Sequence, residues 1–427
     1  MQSLSKSSKR VIFLLGFLSI CNAFYISLGL NLRLFDIMFY ITPIWGIINI
    51  IYNQPPRFSN NINGACVIIS LLFLYLTISG FTRSLGYTYE YYNFFLKYFI
   101  HKVIWIMIYL FIYLLYGKQV IKYFLLGLTA ICVIHVGVVI IEWISLVLTG
   151  NIIDYSFLNS FFIQVEEKKY DVFNQGFLRP TGFTMDPNYA TGYAGIAFIY
   201  CEKLKKDNPG RTKQWTILQL ACLLIMALLF SRTALFSITL TICFSMFAHA
   251  YLSRRKYKVI SPAIALLIFV GIIGVITYFS LNDETFYKQI IQRLSMKDGS
   301  TSMRSDYLYS YFNQADLMSL VFGTGTSSAG LILSNILGLN VGQVWSPESN
   351  YITFAIEQGL FFLIVFFLYL AVVFFRLLRR EQIYAYIFLY INLIGLSYNF
   401  LGDRIYLFLL VCFTMYAYDD NKLVEHL

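Results

Sequence analysis

Four arginines lie at the ends of long apolar stretches of the chain, and their side chains are the first candidates for chemistry. They are Arg179, Arg232, Arg304 and Arg404. A guanidinium at the edge of a membrane is costly unless it is paired or faces a polar cavity. Arginine binds phosphate oxygens through two parallel hydrogen bonds, so we predict an anion site on one face of the protein. In the alternative, each arginine pairs with a nearby acid, as Arg404 can with Asp403, or reaches lipid phosphate.

Two polar segments, each preceding a predicted helix, carry the remaining candidates. In the first, Asp186 can cap the helix that follows, and Asp186 and Asn188 are candidates for substrate binding. In the second, Glu348 can act as a general base or accept hydroxyl groups from a sugar, and Asn350 is a further candidate for substrate binding. The alternative for each carboxylate is that it only stabilises the start of its helix.

Further polar features lie within or beside the apolar stretches. Asp36 and Glu142 are acids inside predicted spans, so each is either the proton relay of a transporter or a packed acid with a partner. His135 is the only histidine deep in a span, and a packed, hydrogen-bonded role is favoured for it. Gly323-Thr324-Gly325 can offer backbone N–H groups to phosphate, although two glycines alone are a weak signal. The histidines lack metal-ligand spacing and no Cys-x-x-Cys motif occurs, so we expect no metal site.

The composition excludes several classes of protein. Of the 427 residues, 58% are hydrophobic and 13% are charged, whereas soluble domains carry about 25% charged residues. So few charged side chains cannot cover the surface of a soluble protein of this length. A soluble enzyme, a disordered protein and a nucleic-acid binder are therefore excluded. The net charge of +10 is explained instead by basic residues in cytoplasmic loops.

Runs of about 20 mostly apolar residues, the length that crosses a membrane, predict an all-α polytopic membrane protein with about twelve transmembrane helices. We treat residues 1–427 as a single integral membrane domain. One span should begin with an irregular turn because Gly182 and Asp186-Pro187 open it, and Ser231-Arg232-Thr233 should divide a long run into a tight hairpin. The predicted spans are 11–30, 34–52, 64–82, 98–116, 121–149, 181–200, 215–230, 233–251, 259–280, 352–377, 383–400 and 403–419.

Basic residues orient these spans. Lys6, Lys9 and Arg10 should keep the N-terminus in the cytoplasm. Alternation from there also puts the C-terminus and the two most basic short loops, Lys203–Lys213 and Arg254–Lys258, on the cytoplasmic side. The predicted orientation is therefore consistent with the distribution of charge.

Two segments on the outer side are long enough to hold a site, residues 150–180 and residues 281–350. In the second, Ser300-Thr301-Ser302 offers a helix N-cap, and residues at helical spacing follow until Gly323 ends the helix. We predict an amphipathic helix on the outer rim of this large late loop. The alternative is that this amphipathic helix is only a lid or a packing helix.

Four segments together resemble the O-antigen polymerase and ligase group of bacterial envelope glycosyltransferases, and within it the Wzy-like O-antigen polymerases. They follow the family's order over residues 179–360, while the first half of the chain is similar only in span count and hydropathy. The segments are Arg179 to Asn188, Ser231-Arg232-Thr233, Arg304 to Gly325, and Ser346 to Leu360.

The resemblance implies a glycosyltransferase reaction on the outer, periplasmic face of the bacterial cytoplasmic (inner) membrane. A polymerase of this group transfers a growing glycan from undecaprenyl pyrophosphate to the sugar of another lipid-linked repeat unit. A ligase transfers the glycan to lipid A core. The implied partners are the lipid-linked donor and acceptor, membrane lipids and a regulator of polysaccharide chain length, without nucleic acid. As the family is understood, the reaction needs no metal and no cofactor.

The resemblance also implies roles for individual residues. Arg232 and Arg304, followed by Arg179, would stabilise the leaving pyrophosphate. Ligases of this family carry a histidine in the segment before the late helix, whereas this chain has Glu348 there. This difference favours a polymerase, with Glu348 as the candidate base or as a sugar-binding residue.

Two other functions stay open from the sequence. The nearest is the ligase of the same group. The other is a polysaccharide flippase or secondary transporter, in which Asp36 and Glu142 would couple ion movement to transport. Transporters often contain internal repeats with a site near the middle of the membrane, whereas the polar residues of this chain are concentrated in one late outer loop.

Overall fold

A computed structural model of the protein shows an almost entirely helical fold, in agreement with the predicted helical class. One small β-sheet was not predicted. The structure describes residues 4–21, 23–27, 31–52, 64–66, 69, 75, 104–149, 153, 163–165, 180–184, 186–229, 231–252, 309–326, 328–336, 349–396 and 404–419.

The elements with defined ends within these ranges are numbered in chain order. They are α1 (Lys6–Leu18), β1 (Phe24–Ser27), β2 (Asn31–Arg33), α2 (Leu34–Tyr52), α3 (Trp105–Tyr116), α4 (Gln119–Thr149), β3 (Ile163–Val165), α5 (Pro187–Asp207), α6 (Thr212–Leu228), α7 (Arg232–Leu252), α8 (Leu317–Phe322), α9 (Ala329–Ile336), α10 (Asn350–Glu357), α11 (Gly359–Arg380), α12 (Gln382–Ile394) and α13 (Arg404–Tyr418).

Three of the described helices are long and apolar enough to cross a membrane: Leu34–Tyr52, Gln119–Leu146 and Gly359–Arg380. Shorter apolar helices accompany them, so the chain has the features of a membrane protein. The count of about twelve spans stays a prediction, because residues 259–280 and nearly all of 64–82 lie outside the described residues.

The first predicted span, 11–30, is wrong as a single helix. Helix α1 ends at Leu18, and strand β1 follows. The hydroxyl of Ser19 donates to the carbonyl of Gly16 at 2.6 Å, and this local hydrogen bond competes with continuation of the helix. Strand β1 then pairs antiparallel with β2 on one side and β3 on the other. Apolar composition alone does not separate a membrane span from a shorter helix followed by a strand.

The predicted span 352–377 is interrupted near its start. Helix α10 ends at Glu357, and α11 begins at Gly359. Gly359 has a φ of 80°, a left-handed conformation that glycine adopts without steric cost. A side chain at Gly359 would also overlap the carbonyl of Val321. The break is therefore fixed by the chain that packs against it.

The predicted amphipathic helix of the late loop is also broken. Residues 309–314 are helical, and a second helix, α8, starts after Asp316. Asp316 caps α8, because its Oδ1 accepts the backbone N–H of Ser319 at 2.6 Å. Helix α8 ends at Phe322, and Gly323 terminates it as predicted. The predicted N-cap at residues 300–302 lies outside the described residues.

Two predicted irregularities are confirmed. Helix α5 begins only at Pro187, after a turn around Gly182. Helix α6 ends at Leu228 and α7 starts at Arg232, so the long apolar run is divided where the sequence predicted.

The chain divides into two compact units. Unit 1 contains Met1–Asn49, Ile121–Asp298 and Leu389–Ile394. Unit 2 contains Ile50–Val120, Gly299–Phe388 and Gly395–Leu427.

In unit 1, helix α1 crosses α4 where each helix carries a glycine. A side chain on Gly16 or on Gly127 would overlap the backbone of the other helix. Small residues allow two helix backbones to approach closely. Helix α5 is fixed to α12 by the hydroxyl of Tyr390, which donates to the carbonyl of Thr191 at 3.1 Å.

In unit 2, helix α13 packs between α3 and α11. The rings of Tyr109 and Phe408 meet edge to face, with 5.5 Å between their centroids. Arg380, the last residue of α11, donates to the carbonyls of Tyr416 and Asp419 at 2.8 Å and 2.6 Å. Its guanidinium therefore satisfies carbonyl groups at the C-terminal end of α13.

Candidate functional site

The segment Pro180–Thr184 leads into α5, and an acid of α4 holds its first half. Oε2 of Glu142 accepts the backbone N–H groups of Thr181 at 3.0 Å and Gly182 at 2.8 Å. Glu142 is fully buried, so these hydrogen bonds form in a low-dielectric environment that strengthens them. Glu142 is therefore a packed acid with partners, which confirms one of the two alternatives predicted for it.

A histidine of α4 holds the second half of the same segment. Nδ1 of His135 accepts the backbone N–H of Phe183 at 3.2 Å, which assigns the proton of the neutral ring to Nε2. The carbonyl of Phe183 accepts the N–H of Ala23, just before β1, at 3.3 Å. Gly182 has a φ of 57°, and a side chain there would overlap the ring of His135. His135 is packed and hydrogen-bonded, as predicted.

The following residues start α5 with a capped turn. Oδ1 of Asp186 accepts the backbone N–H of Asn188 at 2.7 Å. Pro187 occupies the first position of α5, where the missing N–H has no cost. Asp186 is therefore the N-cap of α5, and its role in substrate binding stays a prediction.

The starts of α5 and α7 lie side by side. Oγ of Ser231 donates to Oδ1 of Asn188 at 3.4 Å, and Arg232 is the first residue of α7. Two segments that are far apart in the sequence therefore meet here. Helix starts expose backbone N–H groups and carry partial positive charge. The carboxylate of Asp186 already caps α5, so the start of α7, which carries an arginine, is the one of the two that is suited to an anion.

The glycine loop after α8 has a different role from the one predicted. The N–H groups of Thr324 and Gly325 donate to the carbonyls of Ile356 and Glu357 at 2.9 Å and 2.8 Å. These carbonyls belong to the last turn of α10, where the helix itself supplies no donor. A side chain on Gly323 would overlap the carbonyl of Glu357. The predicted use of these N–H groups for phosphate is therefore wrong, because they cap α10.

The start of α10 is fixed by Gly395. The hydroxyl of Ser349 donates to the carbonyl of Gly395 at 3.4 Å, and the N–H of Asn350 donates to the same carbonyl at 3.1 Å. Ser349 also caps α10 by accepting the N–H of Ile352 at 3.4 Å. Asn350 is buried, so the segment that follows Glu348 enters α10 in one defined position.

Arg404 has a partner that the sequence did not predict. It is the first residue of α13, and its guanidinium carbon lies 4.4 Å from the centroid of the Trp105 ring. This is a cation–π contact. Arg404 is half-buried, and Asp403, the acid considered as its partner, lies outside the described residues.

The predicted site residues differ in what the structure describes of them. Three lie outside the described residues: Arg179, Arg304 and Glu348. The described ones in unit 1 are Asp186, Asn188 and Arg232, and those in unit 2 are Asn350 and Arg404. Within the described ranges, no three His, Cys, Asp or Glu side chains lie close enough together to hold a metal ion.

The sequence did not predict that Glu142 and His135 act on the same segment. Their spacing of two helical turns puts them on one face of α4, and this was the available signal. The partners of that face are backbone N–H groups, which every residue except proline has, so no residue type marks them in the sequence. Asp36, the other acid in a predicted span, is also buried and accepts the N–H of Arg33 at 3.2 Å.

Part of the chain is similar to a known family. Residues 217–367 match the family model described as O-antigen ligase. The match runs from α6 into α11 and covers about a third of the chain. It supports the O-antigen polymerase and ligase group, and with it a glycosyltransferase-like activity in surface glycan assembly. No curated relative matches the sequence.

Proposed function

We propose that the protein is an O-antigen polymerase. It transfers a growing glycan from undecaprenyl pyrophosphate to the sugar of another lipid-linked repeat unit, on the outer face of the bacterial cytoplasmic membrane. Both termini lie in the cytoplasm, and the site faces the periplasm. The partners are the lipid-linked donor and acceptor, the surrounding lipids and a regulator of chain length. The reaction uses no metal and no cofactor.

One observation carries the proposal: the meeting of the Asp186–Asn188 segment with Ser231-Arg232 at two adjacent helix starts. The second of these segments lies within the part that matches the O-antigen ligase family model. A donor of this class carries a pyrophosphate, which is the kind of anion that helix starts and arginine bind. The family match and the geometry thus support the same substrate chemistry.

In the proposed reaction, a hydroxyl oxygen of the acceptor sugar attacks the anomeric carbon of the donor. A new C–O bond forms, and the bond between the anomeric carbon and the pyrophosphate oxygen breaks, so the pyrophosphate leaves with the electron pair. Arg232 and Arg304, with Arg179, stabilise the negative charge that develops there. Glu348 takes the proton of the attacking hydroxyl.

The other candidate residues bind substrate in this proposal. Asp186, Asn188 and Asn350 accept or donate hydrogen bonds to sugar hydroxyl groups. Arg404 binds an anionic group of the substrate while its guanidinium rests on Trp105.

The pyrophosphate role of the arginines can be tested by substitution in a host that lacks its own polymerase. We expect Arg232→Ala and Arg304→Ala, at normal expression, to abolish the ladder of polymer lengths on a gel of surface glycan. Arg211→Ala is the matched control, because Arg211 is exposed in the turn between α5 and α6 and its loss should leave the ladder unchanged. Full-length ladders from both Arg232→Ala and Arg304→Ala would show that these residues do not bind the leaving group.

A ligase is the second candidate, and the description of the matched family favours it directly. Against it stands the segment Pro347-Glu348-Ser349-Asn350, which lacks the histidine that the ligases carry at this place. The two functions predict different glycans when the gene is deleted. Loss of a polymerase leaves lipid A core with a single repeat unit, and loss of a ligase leaves bare core.

A further inference from the structure

We propose that Glu142 and His135 are positioning residues for the site, an inference that rests on the proposed function. Together they hold the segment Thr181–Phe183, whose two ends lead to Arg179 on one side and to Asp186 on the other. Neither side chain needs to touch the substrate for this role.

Helix α4 presents both side chains on one face. Glu142 and His135 are seven residues apart, so they project from the same face of this helix two turns from each other. Both are fully buried. A buried acid and a buried imidazole on one helix face are costly unless hydrogen bonds compensate for the loss of water.

Both side chains accept hydrogen bonds from the backbone of the segment Thr181–Phe183. Glu142 accepts two consecutive backbone N–H groups, those of Thr181 and Gly182, and His135 accepts the next one, that of Phe183. Helices satisfy such donors internally, but this segment is a turn and belongs to neither a helix nor a strand. Side chains of α4 therefore accept the backbone hydrogen bonds that carbonyl groups would accept in a helix or a sheet.

Residues outside α4 also contact the segment Thr181–Phe183. The carbonyl of Phe183 accepts the N–H of Ala23, and its ring lies 6.0 Å from the rings of both Phe24 and His135. The carbonyl of Thr181 accepts both the N–H and the hydroxyl of Thr184. Each of the three consecutive residues is thus held by at least one hydrogen bond.

The consequence concerns the start of α5. The segment ends three residues before Asp186, and Asn188 at the start of α5 receives the hydroxyl of Ser231 beside Arg232. The hydroxyl of Thr184 donates to the carbonyls of both Thr181 and Asp186, so a shift of the segment by about one ångström would be passed on to the start of α5. Misplacement of this size is enough to reduce turnover strongly without removing a reacting group.

The test compares variants that remove the acceptors with variants that keep them. Glu142→Leu and His135→Phe keep the size of the side chain and lose the acceptor atom. Glu142→Gln and His135→Asn keep an acceptor oxygen near the same place. Thr129→Val, also on α4, is the matched control, because the hydroxyl of Thr129 is buried and donates to the carbonyl of Leu125 in its own helix.

Two measurements are made on the full-length protein, purified and reconstituted in lipid. Amide hydrogen exchange reports on the segment directly. Turnover is measured with the lipid-linked repeat units that accumulate in cells lacking this gene. We expect Glu142→Leu and His135→Phe to speed exchange at residues 181–183 and to lower kcat by about tenfold or more, with KM within about twofold. We expect the Gln and Asn variants to recover most of the turnover, and Thr129→Val to match the wild type.

The outcomes separate this inference from the proposed function. If Glu142→Leu speeds exchange at residues 181–183 but kcat is unchanged, the segment does not position the site, and the inference is wrong. If activity falls only in proportion to the amount of folded protein, the two residues are structural, which also overturns it. A failure of the proposed function would appear differently, as a wild-type protein that does not lengthen the repeat units while the exchange pattern is still as expected.

Discussion

At the scale of single residues, four of the five described site residues lie where a helix begins. Asp186 is an N-cap, and Arg232, Asn350 and Arg404 are each the first residue of a helix. Helix starts carry partial positive charge, which favours a neighbouring anion. From the sequence, only Asp186 and the segment of Asn350 were predicted to lie at helix starts, and the binding roles of all these residues stay predictions.

Asp186 offers a way to separate a cap from a binding residue. Asp186→Ala should lower the free energy of unfolding by about 1 kcal/mol, because α5 loses its cap, whereas Asp186→Asn should keep the stability. If the carboxylate also binds sugar, Asp186→Asn should still shorten the polymer, because an amide nitrogen cannot accept a hydrogen bond from a sugar hydroxyl group. Thermal unfolding of the purified protein and gel analysis of the glycan measure the two effects.

The control for this pair is Asp207→Ala at the other end of the same helix, where the side chain is exposed. It should change neither the melting temperature nor the glycan by a measurable amount. A wild-type polymer from Asp186→Asn would reduce Asp186 to a helix cap.

At the scale of elements, the sequence predicted the features that local residue types mark. The helix ends at Gly323 and before Ser231, and the late start at Pro187, all follow from glycine, proline or capping residues. The sequence did not predict the break at Gly359 or the end of α1 at Leu18. The break at Gly359 depends on a loop that packs against it. The end of α1 depends on strand β1, which pairs with β3, a distant part of the chain.

The crossing of α1 and α4 is a contact that a single methyl group should disturb. Gly127→Ala would place a side chain against the backbone of α1, so we expect a loss of about 1–3 kcal/mol, as for other overpacked sites. Gly137→Ala is the matched control on the same helix, because no atom of the described residues lies within 4 Å of the added carbon. It should be neutral or stabilising, since alanine favours a helix by up to about 1 kcal/mol over glycine.

Chemical or thermal unfolding of the two variants in the same detergent measures this difference. Equal stability of Gly127→Ala and Gly137→Ala would mean that α1 does not pack on α4 through its backbone.

At the scale of the molecule, contacts within unit 1 connect the N-terminal segment with α4. The ammonium group of Lys9 lies 5.8 Å from the ring centroid of Tyr123, near the start of α4. Ala23 bonds to Phe183, which His135 holds further along α4. These contacts join the N-terminal segment to α4 and to the segment that α4 holds. The cytoplasmic position of the N-terminus stays a prediction from the distribution of basic residues.

The central claim is that this protein joins lipid-linked repeat units rather than attaching finished glycan to lipid A core. The most direct measurement is the size of the glycan on lipid A core after deletion of the gene, with the wild-type gene restored as a control. The proposal predicts core that carries a single repeat unit, and a full ladder of lengths when the gene returns. Bare core, or a full ladder in the deletion strain, would contradict it.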